Sequence, residues 1–144
     1  MISFKSLPEP PVSLRANNIW SGNTHWRTRC RDAREYAQSI GWMALKQVPG
    51  RPRYKHSVIQ VTWYHRQESH FQDGDGALFS LKKLFDGLTD GGIFANDRYL
   101  VHLPVVQLVA DKVRPKTLDV CVADPRDMSA FNVAVYTLGF QEMK

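Results

Sequence analysis

A chain of 144 residues is the size of one domain, long enough to bury a single modest core. Hydrophobic residues make up 43% and charged residues 23%, which excludes a disordered or collagen-like chain. No run of about 18 apolar residues is present, and the opening MISFKSLPEPP lacks a basic-then-apolar leader, so a cytoplasmic protein with no membrane partner is expected.

The net charge of +5 is unevenly spread. Residues 1–66 hold eleven of the 19 Lys and Arg against three acids, a balance of +8; residues 67–144 hold eight against eleven, a balance of −3. A basic front and an acidic back suit a protein that grips a polyanion and uses carboxylates for another task. Cys30 and Cys121 stand far apart outside any CxxC pattern and read as reduced thiols.

In chain order, residues 7–24 are rich in Pro, Asn, Ser and Gly and read as an extended or looped entry. A helix follows over about Trp26 to Gln47, with Thr24 as its expected cap. Its apolar positions are Ala33, Tyr36, Ile40, Met43, Ala44 and Leu45, while Arg27, Arg31 and Arg34 share one side. VPGRPRYKH breaks the chain, and SVIQVTWYH alternates Ile59, Val61 and Trp63 against polar positions, a half-buried strand. QESHFQDGDG reads as a loop. ALFSLKKLFDGL then spaces Ala77, Leu78, Leu81, Leu84, Phe85 and Leu88 as one amphipathic helix, with Lys82 beside the apolar stripe and Lys83 toward solvent. TDGG supplies a left-handed cap at Gly91 or Gly92. Two strands close the pattern, YLVHLPVVQLVAD with Pro104 at a bulge or edge, and TLDVCVAD, expected to pair antiparallel across the KVRPK turn. The tail from Pro125 spaces Met128, Phe131, Val135 and Leu138 as a helix, with a strand over 131–135 nearly as good. The expected fold is a single mixed α/β (α+β) domain over residues 1–144, a small mixed sheet with two main helices in the order αβαββ.

The chemistry-bearing residues lie between Gln72 and Arg98. Asp73 and Asp75 flank a glycine, and in an extended segment both carboxylates project to one side, about 7 Å apart. Oxygen ligands at that spacing suit a hard cation such as Mg²⁺ or Mn²⁺, and Asp97 can join them if the sheet aligns its segment with theirs. A solvated D-x-D turn is the competing reading. EF-hand, HExxH, Walker A, GxSxG and zinc-type spacings are absent from the sequence, and the five histidines are scattered.

The stretch DGDGALFSLKKLFDGLTDGGIFANDRYL resembles the signature of RusA-type Holliday-junction resolvases: D-x-D-N, a lysine, F-D-A-L, a glycine turn and D-D before a strand. Asp73 and Asp75 match the paired aspartates, Lys82 the lysine, Phe85-Asp86-Gly87-Leu88 the F-D-A-L, and Asp97 the second aspartate of D-D. Pro10-Pro11 followed by Asn17-Asn18 resembles the family's P-P-x-N-N opening. The resemblance covers about residues 8–122, leaving 123–144 as an extension. The sequence departs from the pattern in Gly76 for the asparagine, in Asn96 for the first acid of D-D, in about three residues inserted before the lysine, and in a longer PP-to-NN spacing.

The resemblance implies a homodimeric endodeoxyribonuclease that nicks four-way DNA junctions in recombination and repair. It assigns Mg²⁺, with Mn²⁺ as substitute, to Asp73, Asp75 and Asp97, and catalytic contact with the scissile phosphate to Lys82, the products being a 5′-phosphate and a 3′-hydroxyl. Arg27, Arg31, Arg34, Arg51, Arg53 and Lys55 would contact DNA phosphates, and Phe71 would stack on bases at the branch point. A structure-selective nuclease without junction preference, a catalytically silent DNA-binding protein of the same fold, and an unrelated domain with surface aspartates are the alternatives.

Overall fold

The structure, a computed structural model, describes residues 1–96 and 102–125. Four strands, β1 (Ile2–Pro8), β2 (Ser57–His65), β3 (His102–Ala110) and β4 (Thr117–Ala123), form one sheet in the order β1-β4-β2-β3. The helices are α1 (Ala16–Ser21), α2 (Trp26–Gln47), α3 (Gly74–Ser80) and α4 (Lys82–Asp90). The mixed α+β class agrees with the sequence reading, and the expected tail helix lies outside the described residues.

The strand pairing differs from the sequence expectation. β3 runs parallel to β2, and β4 crosses to the other side of β2, where it pairs antiparallel with both β2 and β1. KVRPK therefore connects strands that are not neighbours. The parallel pairing of β2 and β3 is closed through α3 and α4, since parallel strands need a long crossover. Among the described residues it leaves β3 at an edge, where Pro104 lacks a ladder donor at little cost. β1, read as part of no element, forms the opposite edge.

The alternation in β2 has the expected sense. Ile59, Val61 and Trp63 pair across to Val122, Val120 and Leu118, and all six join the core beneath α2 and α4. Gln60 is buried as well, because β2 has a strand on each side. The Asp119 carboxylate holds the β1 edge in place. It accepts from the N–H of Ser6, a left-handed residue at the β1 bulge, at 2.9 Å and pairs with Arg114 at 2.7 Å.

α2 has the bounds expected of it, but its cap is His25, whose ring nitrogen accepts from the N–H of Arg27. Thr24 instead donates to Asn18. Its buried face is Tyr36, Ala37, Ile40, Gly41 and Ala44, and Met43 is partly exposed. The helix that was expected over 77–88 is two. The Ser80 hydroxyl lies 2.8 Å from the Gly76 carbonyl four residues back, a side-chain bond that competes with the helix ladder, and the chain turns at Leu81 before α4 begins. Gly92, not Gly91, adopts the left-handed conformation that ends this segment. Both cysteines are free, as the sequence suggested.

His65, at the end of β2, is 5% exposed, packs between the tilted rings of Trp63 and Phe71, and its buried Nε2 has no hydrogen-bond partner among the described residues. Burial pushes its pKa below the ordinary imidazole value, with Glu9 opposing. The unfolded chain takes up this proton near pH 6.5 and the folded chain resists it. Stability should therefore be full above about pH 6.5 and fall as pH drops below it. His65→Phe is expected to flatten that slope in urea titrations at pH 7.5 and 5.5, and an unchanged slope would assign the pH dependence to other groups.

Candidate metal and nucleic-acid site

Asp73 and Asp75 do not form an extended pair. Asp73 is the extended residue that precedes α3, and Asp75 lies in the first helical turn. Both are exposed. Among the described residues the Asp73 carboxylate has no hydrogen-bond or ion-pair partner, although its backbone carbonyl accepts from Ala77 N–H at 2.9 Å, and the Asp75 carboxylate accepts only from the neighbouring N–H of Gly76 at 3.0 Å. Exposed carboxylates are oxygen ligands of the kind a hard divalent ion takes. Gly76 is fitted to this arrangement: a Cβ there would lie 2.6 Å from Asp73 Oδ1. The asparagine of the family pattern would have to displace that carboxylate. No group of three metal-ligating side chains occurs among the described residues, and Asp97, the expected third ligand, lies outside them.

The segment behind the aspartates is fixed by Ser80. Its hydroxyl accepts from the N–H of Ala16 at 2.9 Å and shares its proton between the Gly76 carbonyl and Gln72 Oε1, each at 2.8 Å. This ties the start of α1 to α3. The Asn17-Asn18 pair consequently lines a groove of about 500 Å³ with Arg15, Asn23, His70 and Gln72, immediately before Asp73.

Lys82 is not beside the aspartates. It opens α4, beyond the far end of α3, whose seven residues span roughly 10 Å. The inserted residues put Lys82 seven positions after Asp75, and the position one helical turn after Asp75 is held by Phe79. Lys82 lines instead a groove of about 760 Å³ between α2 and α4, shared with Arg29, Arg34 and Lys83. Lys83, expected to point away, makes the shorter of two ion pairs to Asp86, 2.7 Å against 3.4 Å for Lys82. Burial alone would raise the Asp86 pKa; the hydrogen bond and charge of Lys83, with Lys82 behind them, hold it below the usual carboxylate value.

The other expected DNA contacts divide. Arg34 lines the α2–α4 groove, while Arg27 and Arg31 are exposed on α2, Arg27 over the Trp26 ring and Arg31 beside Asp32. Arg51, Arg53 and Lys55 are exposed at the other end of the α2–α4 pair, where Arg53 donates its N–H to Gly92 and the Arg51 stem lies near that glycine. Phe71 is half-buried against His65, 5.3 Å between ring centres, so it is a packing residue more than a free wedge. Arg29 and Lys83 were not singled out by the sequence reading. Their signal was available in the run of Arg27, Arg29 and Arg31 and in the Lys82-Lys83 pair. The chain matches no protein-family model, and no curated protein matches it significantly.

Proposed function

We propose that this protein is a Mg²⁺-dependent endodeoxyribonuclease of the RusA type, acting on branched DNA and in particular on four-way junctions. The observation that carries the reading is the pair of exposed carboxylates Asp73 and Asp75 at the head of α3, neither with an ion-pair partner among the described residues, in a protein of net charge +5. Asp73 and Asp75, with Asp97, would hold Mg²⁺, which supplies neutralisation of phosphate charge and activation of water. The Ser80 hydrogen bonds fix the backbone of α3 that carries Asp75 and tie it to α1, while the two carboxylates themselves stay exposed to solvent. Arg29, Arg34, Lys82 and Lys83 bind backbone phosphates along the α2–α4 groove, which orients a strand without reading its sequence. Given the length of α3, Lys82 engages a phosphate neighbouring the one at the aspartates. Nicking two strands symmetrically requires two such sites, hence a homodimer.

The test is incubation with a mobile four-way junction, a flap and a linear duplex, with and without Mg²⁺. Paired symmetric nicks in the junction alone are the expected result. Equal cutting of all three would leave a nuclease without junction preference. Binding without nicking in either Mg²⁺ or Mn²⁺ would leave a DNA-binding protein.

A further inference from the structure

Two aromatic rings stand in solvent one helical turn from the aspartates. Trp20 is 58% exposed and Phe79 43% exposed, and their ring centres lie 5.7 Å apart at 37°. Phe79 follows Asp75 by four residues, which places both on one face of α3. Exposed, touching aromatic area of this kind marks a surface that meets a ligand.

The surroundings define the ligand. From Glu9 to Asp32 the chain has four arginines and the two tryptophans Trp20 and Trp26. Arg15 pairs with Glu9 and Arg31 with Asp32, which leaves Arg27 and Arg29 as cations with no ion pair among the described residues. Trp26 is also 58% exposed, with the Arg27 guanidinium 5.5 Å above its ring. Aromatic rings interleaved with cations match a nucleic-acid strand, whose bases stack while its phosphates pair. The amides of Asn17, Asn18, Asn23 and Gln72 line the groove at α1, where hydrogen-bonding base edges can be received.

We propose that Trp20 and Phe79 stack an unpaired nucleobase of the DNA strand that passes Asp73 and Asp75. The rings are tilted, so they form no parallel slot, and the base lies on an outer ring face with its edge toward the amide groove. This role rests on the nuclease reading for the presence of DNA, but it is measured by binding alone.

The experiment uses the full chain in EDTA, with a single-stranded thymidine oligonucleotide, a four-way junction and a linear duplex of the same length. Trp20→Ala and Phe79→Ala are each expected to weaken single-strand and junction binding about tenfold, the scale of one lost base stack. Duplex affinity should change less than about threefold, and Trp20→Phe should retain most of the binding. Both positions are exposed, and unchanged thermal melting will confirm folding. Wild-type tryptophan fluorescence should be quenched by the oligonucleotide, and less so in Trp20→Ala. Unchanged single-strand affinity in both alanine variants would overturn the proposal, as would conversion of a dimer to a monomer in sedimentation. The two readings fail separately: intact nicking with unchanged stacking removes the platform, whereas absent nicking with the stacking loss present removes the nuclease and keeps the platform.

Discussion

Asp75→Asn is expected to reduce Mg²⁺-dependent nicking of a four-way junction by about a thousandfold or more while leaving the fold intact. The size follows from the several kcal/mol that a bound cation contributes to phosphoryl transfer, at about 1.4 kcal/mol per factor of ten. The sparing of the fold follows from Asp75's surroundings. It is exposed and accepts a single hydrogen bond, from Gly76 N–H, and an asparagine oxygen can accept the same bond. Stability in EDTA should therefore change by no more than about 0.5 kcal/mol. Mg²⁺ should separate the two proteins, because an ion that binds only the native state stabilises it by about 2.7 kcal/mol at a hundred times its dissociation constant. A rise in melting temperature on adding Mg²⁺ is expected for the wild type and not for Asp75→Asn. Glu35→Gln, an exposed acid on α2, serves as the control. Nicking by Asp75→Asn at more than a tenth of the wild-type rate, or wild-type nicking that persists in EDTA, would end the metal-site reading.

What the sequence made legible, and what it hid, follow from the range of the forces involved. α2 was readable to its ends because a long helix repeats its apolar spacing many times. β2 was readable because alternation of Ile59, Val61 and Trp63 is local. The cap of α2 was misplaced because His25 can accept through a ring nitrogen, whereas Thr24, the better cap by propensity, is taken by Asn18. The break at Leu81 escaped because it depends on Ser80, whose hydroxyl is engaged by Ala16, a partner 64 residues distant. The antiparallel expectation for β3 and β4 applied a hairpin rule to strands that each pair with β2 instead. For the candidate site, motif spacing singled out Asp73 and Asp75 but could not show that Lys82 lies past the end of α3. Nor could it show that Trp20, far away in the chain, touches Phe79. Contacts between distant segments carry no local pattern, and it is these that assemble the site.

Gly87→Ala should destabilise the protein by about 1–2 kcal/mol, although helix propensity alone predicts the opposite sign. Gly87 lies inside α4, where alanine would gain up to about 1 kcal/mol. Its added Cβ, however, would lie 2.7 Å from the Ala37 carbonyl oxygen and 2.7 Å from Ile40 Cβ. One neighbour is backbone and the other is fixed to it, so neither can swing aside, and α4 must move off α2. Overpacking of this kind costs about 1–3 kcal/mol. Gly91 makes a second such approach, its Cβ position lying 2.8 Å from Ala44 Cβ and 2.9 Å from the Gly41 carbonyl. One separation of the helices relieves both clashes, so Gly87→Ala and Gly91→Ala combined should cost less than the sum of the single changes. The shift also reaches function, since Arg34 on α2 and Lys82 on α4 face one groove. Gly87→Ala should thus weaken DNA binding while the Mg²⁺-induced rise in melting temperature, set by Asp73 and Asp75 on α3, persists. Urea midpoints and DNA titrations measure both effects. A Gly87→Ala protein as stable as the wild type would mean that α2 and α4 do not meet backbone to backbone.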